Sequence, residues 1–239
     1  MNKREFLGVG LGAAGAVLSS TAALAQTDGS AAGAAAAEAA FRLDARRTAF
    51  INVDMQNWFV EGYPVSAADG PALLRRINGF AGVCRAAGIR VIHTAHVLRA
   101  DGSNAGLIPQ SIQVMIRRGA LTSMLHKDLV IDPRDVVLEK PRFGAFQGTD
   151  LELILRGNGI DSVIIGGIAT NVCCETTARE AGVRDFHVFF LSDGTSPYTF
   201  GEPMAAEIQK ATCMTLQLFG DVLTIDQMIA RIGGAQKGA

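Results

Sequence analysis

The most reactive candidate in the sequence is a cysteine at the start of a predicted helix. The apolar run 163–165 ends in Gly166 and Gly167, and a polar corner follows before Cys173. Backbone N–H groups and the dipole at the N-terminus of a helix stabilise a thiolate, which is the nucleophilic form of cysteine. This segment therefore predicts a nucleophilic thiol at a sharp turn between a strand and a helix.

Two further residues have the chemistry that such a thiol needs. Asp54 follows an apolar segment and can accept the thiol proton, and Lys140 follows another apolar segment. A neighbouring ammonium group lowers the pKa of a thiol and balances the charge of a carboxylate. After the first proton transfer, Asp54 can protonate a leaving amine. We therefore predict a catalytic group of Asp54, Lys140 and Cys173.

The order of apolar and helical segments predicts a fold that brings these residues together. Strand-like runs occupy residues 48–53, 89–95, 135–139, 162–165, 186–191 and 221–225, and helical patterns occupy residues 73–87, 151–156, 172–181 and 202–219. This alternation predicts one α/β domain, a doubly wound, mostly parallel six-stranded sheet with helices on both faces in a three-layer sandwich. Ligands of such sheets bind at the carboxyl ends of the strands, where all three reactive residues are expected.

Three motifs surround the predicted catalytic residues: VDMQN at 53–57, EKPRFGAF at 139–146 and GIATNVC at 167–173. In this combination the chain resembles the isochorismatase-like cysteine hydrolase superfamily, over about residues 46–225. That superfamily includes nicotinamidase, N-carbamoylsarcosine amidohydrolase, biuret hydrolase and peroxyureidoacrylate amidohydrolase. The resemblance implies an amidohydrolase that acts on a carbon–nitrogen bond of a small carboxamide or ureide.

The resemblance also implies a role for particular residues of this chain. The catalytic aspartate falls on Asp54, the lysine on Lys140 and the nucleophile on Cys173. A cis peptide bond is implied before Ala169, whose N–H would form an oxyanion hole together with the N–H of Cys173. The implied reaction passes through a thioester that water hydrolyses.

Two histidines raise the question of a metal site. Nicotinamidases bind zinc through an Asp-x-His motif and a further histidine near the second strand, but residues 93–104 depart from that pattern and resemble the metal-free branches. Alternation along a strand also places His93 and His96 on opposite faces. We therefore predict no metal and no cofactor.

The predicted ends of the strands also carry residues that could bind a small planar amide, since aromatic walls with a few polar groups suit such a ligand. The predicted substrate-binding residues are Gln56, Trp58, Phe59, His96, Phe143 and Thr170. Arg99 and Arg142 are candidates for holding a substrate carboxylate. The segment 193–197 is expected to form a turn beside the site.

Other readings of the cysteines remain open. Cys174 is expected to pack, although a redox or binding role for the Cys173–Cys174 pair is an alternative. Cys84 and Cys213 lie in apolar helical patterns, which favours free thiols over a disulfide. A second enzymatic alternative is vinyl-ether hydrolysis of isochorismate, but true isochorismatases lack the cysteine.

The first 45 residues predict export. Residues 1–25 form a signal peptide of twin-arginine-like or general secretory type, with cleavage after Ala25, and residues 26–45 form an Ala/Gly-rich tether before a hydrolase domain at 46–232. We expect a location in the bacterial periplasm. The net charge of −1 predicts no nucleic-acid partner and no membrane association after cleavage. The expected partners are a small amide or ureide substrate and further copies of the chain, in a dimer or tetramer as in relatives.

Overall fold

The computed structural model of the protein describes residues 43–62, 69–199 and 204–236. Its centre is a six-stranded sheet in the order β3-β2-β1-β4-β5-β6, in which every strand pair is parallel. The strands are β1 Thr48–Val53, β2 Arg90–His96, β3 Val136–Lys140, β4 Ser162–Ile168, β5 His187–Ser196 and β6 Asp221–Leu223. This order confirms the predicted doubly wound sheet, because the chain moves outward from β1 in one direction and then from β4 in the other.

Helices cover both faces of the sheet, as predicted. They are α1 Asn57–Glu61, α2 Gly70–Ala87, α3 Gln110–Gln113, α4 Leu151–Gly157, α5 Glu175–Gly182, α6 Ala205–Leu216 and α7 Ile225–Gln236. Helices α2 and α7 contact one another and pack on one face of the sheet, whereas α4, α5 and α6 contribute to the apolar core on the other. The molecule is therefore a three-layer sandwich.

The central strands are apolar on both sides because both faces are covered. All six residues of β1 and all seven of β4 are buried. Ala49, Ile51 and Val53 belong to the core beneath α4 and α5, while Phe50 points the other way and meets Phe80 of α2 edge to face at 4.9 Å. A side-chain period of two residues along β1 thus supplies both cores.

A glycine permits the closest approach between the two central strands. Gly167 pairs with Val53 and has a φ of +119°, a conformation that residues with a Cβ rarely adopt. A Cβ placed on Gly167 would lie 2.1 Å from the Val53 carbonyl oxygen. The carboxyl ends of β1 and β4 therefore meet where the strand order reverses, and the residues that follow these two strands lie next to each other.

The structure moves several predicted boundaries. Strand β4 continues through the two glycines to Ile168, and β5 runs to Ser196 after a register shift, so that residues 193–196 extend the strand instead of forming a turn. The predicted helix 172–181 begins as a π-helical turn, Thr170–Cys174, before α5. Ile225, expected to end the last strand, begins α7.

The ends of the domain also differ in detail from the predicted limits. Residues 1–42 lie outside the described part of the chain, and with them the predicted signal peptide and most of the predicted tether. Leu43 is buried, and a short 3₁₀ turn, Ala45–Arg47, leads into β1. Helix α7 continues past residue 232. Within the described residues, no helix has the length and apolar character needed to cross a bilayer.

Candidate active site

A buried ion pair joins two of the three predicted catalytic residues. Lys140 Nζ lies 2.7 Å from Asp54 Oδ2, and both side chains are completely buried. The ammonium group also donates hydrogen bonds to the carbonyl oxygens of Arg142, at 2.9 Å, and Phe143, at 2.8 Å. The positive charge of Lys140 is therefore paired and well solvated by oxygen atoms, which buried charges require.

The backbone at the end of β1 aims Asp54 at this site. Asp54 has a φ of +50°, a left-handed conformation that aspartate tolerates better than most residues. Its N–H donates to the Thr94 carbonyl oxygen at 3.1 Å, and Thr94 Oγ1 donates to Asp54 Oδ1 at 2.7 Å. Sequence reasoning missed Thr94, which occupies one carboxylate oxygen and leaves the other to Lys140.

The thiol of Cys173 completes the group. A carboxylate oxygen of Asp54, a ring nitrogen of His96 and Cys173 Sγ all lie within 4.8 Å of one another. The turn that carries the cysteine closes when Cys174 N–H donates to the Ala169 carbonyl oxygen at 3.0 Å. Thr177 of α5 then donates to the Cys173 carbonyl oxygen at 2.7 Å, which anchors the turn to the helix. The structure thus brings Asp54, Lys140 and Cys173 together.

The protonation state of Cys173 differs from the one expected from the sequence. Burial raises the pKa of the Cys173 thiol to about 12, although Lys140 works in the opposite direction. The prediction of a lowered thiol pKa is therefore wrong, because desolvation outweighs the ammonium group. Burial alone would lower the pKa of Lys140, but the Asp54 carboxylate raises it above its usual value. The resting site holds a neutral thiol beside an ion pair.

The peptide bond between Ile168 and Ala169 is cis, as the resemblance to the superfamily implied. Ala169 and Cys173 both line the same pocket. The assignment of their two N–H groups to an oxyanion hole remains a prediction, and the position of both residues at the pocket wall is consistent with it.

The thiol opens onto a cavity of about 220 Å³. The residues that line it are Trp58, Phe59, His96, Pro109, Ile112, Phe143, Ala169, Val172, Cys173 and Tyr198. Four of the predicted substrate-binding residues are in this wall: Trp58, Phe59, His96 and Phe143. The wall is mostly apolar, which suits a small ligand with few polar groups.

Two other predicted substrate-binding residues lie outside this lining. Gln56 donates to the carbonyl oxygens of His96 and Ser123, at 3.1 and 2.6 Å, and accepts from the His96 N–H at 2.8 Å. Its amide therefore ties the ends of β1 and β2 together. Thr170 is fully buried and donates to Gln209 Oε1 at 2.7 Å.

Neither arginine proposed for a substrate carboxylate lines the pocket. Arg142 Nη1 donates to the carbonyl oxygens of Asn104 and Pro141, both at 2.7 Å, and Arg99 is exposed. Arg142 instead lies against the loop that contains Gly106. A Cβ added to Gly106 would lie 3.1 Å from Nη2 of Arg142, so the guanidinium group and this loop are closely packed.

Sequence reasoning missed four residues of the wall. Val172 lies in the π-helical turn before α5, Pro109 directly precedes α3, Ile112 lies in α3, and Tyr198 follows β5. The last three lie in no periodic pattern, so only the path of the loops brings them to the pocket. Tyr198 is held near the turn by Asn171, which accepts its N–H at 2.8 Å.

The two histidines lie on opposite sides of β2, as predicted. His93 is fully buried, with its ring nitrogens 2.9 Å from Asn52 Nδ2 and 3.0 Å from Asp135 Oδ2. His96 faces the pocket and, with Asp54 and Cys173, offers atoms of a kind that bind metals. The Lys140 ammonium group already supplies the positive charge beside Asp54. The prediction of a metal-free site therefore remains our interpretation.

The remaining cysteines are free thiols. Cys174 is fully buried in the core between the sheet and α5, and burial raises its pKa well above the usual value. Cys84 is buried and Cys213 is half-buried, and burial raises the pKa of both. These positions agree with the expectation that all three cysteines pack.

Replacing Cys174 by alanine is expected to retain most of the activity. The change removes one buried atom from the core, which should lower the free energy of unfolding by about 1 kcal/mol. Steady-state kinetics and thermal unfolding measure both effects. A loss of activity as deep as that of Cys173→Ala would show that Cys174 is the nucleophile.

A second cavity, of about 300 Å³, lies at the opposite, amino-terminal end of β2. It is lined by four arginines, but Arg85 pairs with Asp135 at 2.6 Å and Arg134 with Asp132 at 2.8 Å. Its lining among the described residues contains no cysteine, serine or histidine. The reactive group therefore belongs to the smaller cavity.

The fold and the site define the class of the protein: a doubly wound α/β protein with a cysteine, an aspartate and a lysine at the point where the strand order reverses. Residues 48–227 match the isochorismatase domain. The chain belongs to the isochorismatase family and is a hydrolase of that family. This match confirms the resemblance seen in the three motifs.

Similar proteins include amidohydrolases. The chain is 35% identical over 177 residues to the ureidoacrylate amidohydrolase RutB of Methylorubrum extorquens, covering 64% of this chain and 71% of the relative. It is 33% identical over 181 residues to nicotinamidase 3 of Arabidopsis thaliana, covering 74% and 84%. A cysteine hydrolase from Pseudomonas syringae pv. phaseolicola 1448A has a similar structure, with a TM-score of 0.76, 31% identity and coverage of 82% and 96%.

Proposed function

We propose that the protein is a cysteine-dependent amidohydrolase that cleaves a carbon–nitrogen bond of a small carboxamide or ureide. The observation that carries this proposal is the convergence of Asp54, Lys140 and Cys173 at the wall of one small pocket. The amidohydrolases among its relatives support the same reaction class.

The first half of the reaction forms a thioester. The Cys173 thiol gives its proton to Asp54 as Sγ attacks the substrate carbonyl carbon, and the carbonyl oxygen becomes an oxyanion near the N–H groups of Ala169 and Cys173. Asp54 then donates the proton to the substrate nitrogen as the carbon–nitrogen bond breaks. Ammonia or an amine leaves, and the acyl group remains on the sulfur.

The second half regenerates the enzyme. Asp54 accepts a proton from water while the water oxygen attacks the thioester carbon. Collapse of this intermediate breaks the carbon–sulfur bond, and the proton returns to sulfur. Lys140 remains protonated throughout, so it holds Asp54 in place and balances its charge in both halves.

Two alternatives have less support from the site. Vinyl-ether hydrolysis uses no thiol, whereas here Cys173 lies beside Asp54 at the pocket. A redox pair would need Cys174 to reach the pocket, but this residue is fully buried in the core and is not part of the lining.

Ammonia release from a panel of carboxamides and ureides tests the proposal, with the domain from residue 26 onward. We expect turnover of at least one class and covalent modification of Cys173 when the reaction is stopped early and analysed by mass spectrometry. Turnover with an acyl group on any other residue, or turnover of isochorismate alone, would contradict the proposal.

Metal chelation is expected to leave activity unchanged. The positive charge that stabilises Asp54 is the Lys140 ammonium group, 2.7 Å away, so no metal is required to hold this carboxylate. Activity after prolonged treatment with EDTA, together with elemental analysis of the protein, measures this. Inactivation by EDTA that zinc reverses would instead assign the Asp54, His96 and Cys173 group as a metal site.

Export to the periplasm and assembly into a dimer or tetramer are further proposals. The pattern of residues 1–25, with its apolar stretch and the small residues before position 26, supports export. Oligomer formation rests on the resemblance to the superfamily.

A further inference from the structure

A ring nitrogen of His96 has no hydrogen-bond partner within residues 43–62, 69–199 and 204–236. The side chain of His96 lines the pocket, is 1% exposed and packs edge to face on Phe143 with ring centres 5.4 Å apart. Among the described residues, no atom forms a hydrogen bond with Nε2. An unpaired polar atom in a buried position is unfavourable unless a ligand or water supplies the missing hydrogen bond.

The surroundings define this nitrogen as an acceptor. The backbone of Pro141 forms a hydrogen bond with the His96 ring. Because Nε2 has no partner among the described residues and the carbonyl group of proline can only accept, we assign the ring proton to Nδ1. Burial and then the Lys140 charge lower the pKa of His96 to about 3, so the ring is neutral in the working range. Nε2 of a neutral ring protonated at Nδ1 accepts hydrogen bonds.

The rest of the pocket lacks charge. None of the described residues that line it is an arginine, lysine, aspartate or glutamate. The nearest ion pair, Asp54 with Lys140, is internally balanced. A substrate carboxylate would therefore find no cation in the wall, whereas an apolar or aromatic group would find Trp58 and Phe59.

We propose that the pocket selects uncharged carboxamides with an apolar or aromatic substituent, and that His96 Nε2 accepts a hydrogen bond from the substrate N–H group. This inference rests on the proposed amidohydrolase function. A ring nitrogen of His96 and a carboxylate oxygen of Asp54 lie within 4.8 Å of each other and of Cys173 Sγ. A hydrogen bond from N–H to His96 fixes the rotation of the breaking carbon–nitrogen bond, so that the nitrogen lone pair can face the proton on Asp54.

The substrate expected for this pocket differs from the substrate in the name of one relative. Ureidoacrylate amidohydrolase, 35% identical to this chain, acts by its name on a compound that carries a carboxylate. In this chain Arg142, two residues after Lys140, donates from Nη1 to two backbone carbonyl oxygens. The described pocket thus offers an N–H acceptor and apolar surface instead of a carboxylate clamp.

Paired substrates test the hydrogen bond. Benzamide and methyl benzoate share the aromatic acyl group, but only the amide offers an N–H. We expect His96→Phe, which keeps a ring and removes the acceptor, to lower kcat/KM for benzamide by about 5- to 150-fold, the range for one hydrogen bond to a buried group. The loss in kcat/KM for methyl benzoate, which has no N–H group to donate, should be smaller than the loss for benzamide. His96→Gln, whose amide can donate to Pro141 and accept from the substrate, should recover part of the loss.

The outcomes distinguish a failure of the proposed hydrogen bond from a failure of the proposed amidohydrolase function. An equal loss for amide and ester in His96→Phe, with unchanged thermal unfolding, would overturn the proposed hydrogen bond. Absence of Cys173-dependent turnover of any amide or ester by the wild-type protein would instead overturn the amidohydrolase function itself. Because ester turnover reports on the intact catalytic group, it also shows whether the variant is folded.

A second pair tests the choice of substituent. Benzamide and 4-carboxybenzamide differ by one carboxylate, and we expect the wild-type protein to favour benzamide in kcat/KM. Equal or better turnover of 4-carboxybenzamide would contradict the neutral pocket. Ammonia release measures both substrates in the same assay.

Discussion

Replacement of Cys173 by alanine is expected to lower kcat for amide hydrolysis by at least about 10⁴-fold, since removal of a catalytic nucleophile has effects of this size or larger. The side chain lies at the pocket wall, so the loss of one sulfur atom should leave the fold intact. Ammonia release at saturating substrate measures the activity, and thermal unfolding measures the fold.

The neighbouring cysteine provides a matched control for this experiment. Cys174→Ala removes the same atom type one residue along the chain, but from the core instead of the pocket. Full ammonia release from Cys173→Ala would refute the covalent mechanism. Cys173→Ser, which keeps an oxygen nucleophile, is expected to be nearly as inactive, because a serine hydroxyl is a much weaker nucleophile than a thiolate.

Replacement of Lys140 by methionine is expected to lower the free energy of unfolding by about 3–5 kcal/mol, the cost of leaving a buried charge without its partner. Methionine has a similar length and an apolar side chain, so it fills the space without a charge. The Asp54 carboxylate would remain fully buried, with only Thr94 among its former side-chain partners. Denaturant unfolding at neutral pH measures the change, and activity should be lost as well.

A double-mutant cycle isolates the ion pair from other effects of the substitution. Asp54→Asn in the Lys140→Met background removes the unpaired charge, so the double variant should recover most of the lost stability while staying inactive. If the double variant is no more stable than Lys140→Met, then packing of the lysine stem, and not the buried charge, dominates the loss.

Most of the fold is predictable from the sequence because the strands are buried on both faces. All six strands overlap the predicted apolar runs, as with β2, which the run 89–95 predicts and which spans Arg90–His96. The extensions of β4 and β5 are not predictable. Gly166 and Gly167 interrupt the apolar run, and their pairing with Asn52 and Val53 of β1, together with that of Gly167 with Thr195 of β5, keeps these residues in the sheet.

The catalytic group is predictable for a similar reason, since the carboxyl ends of parallel strands meet at one edge. The residues that contact the catalytic group or line the pocket are harder to predict from the sequence. Thr94 reaches Asp54 only because β2 is the neighbour of β1, and Ile112 reaches the pocket only through the path of a loop. The pKa of Cys173 was mispredicted because the sequence shows a helix start but not the depth at which it is buried.

The elevated pKa of Cys173 also affects how the protein meets oxidants. Peroxide and disulfides react with the thiolate, and burial favours the thiol form of Cys173. In the proposed reaction, the thiolate forms only as Asp54 takes the proton, and it attacks the substrate carbonyl carbon in the same step. We therefore expect Cys173 to react with peroxide more slowly than an exposed cysteine, which measurement of its oxidation by mass spectrometry checks.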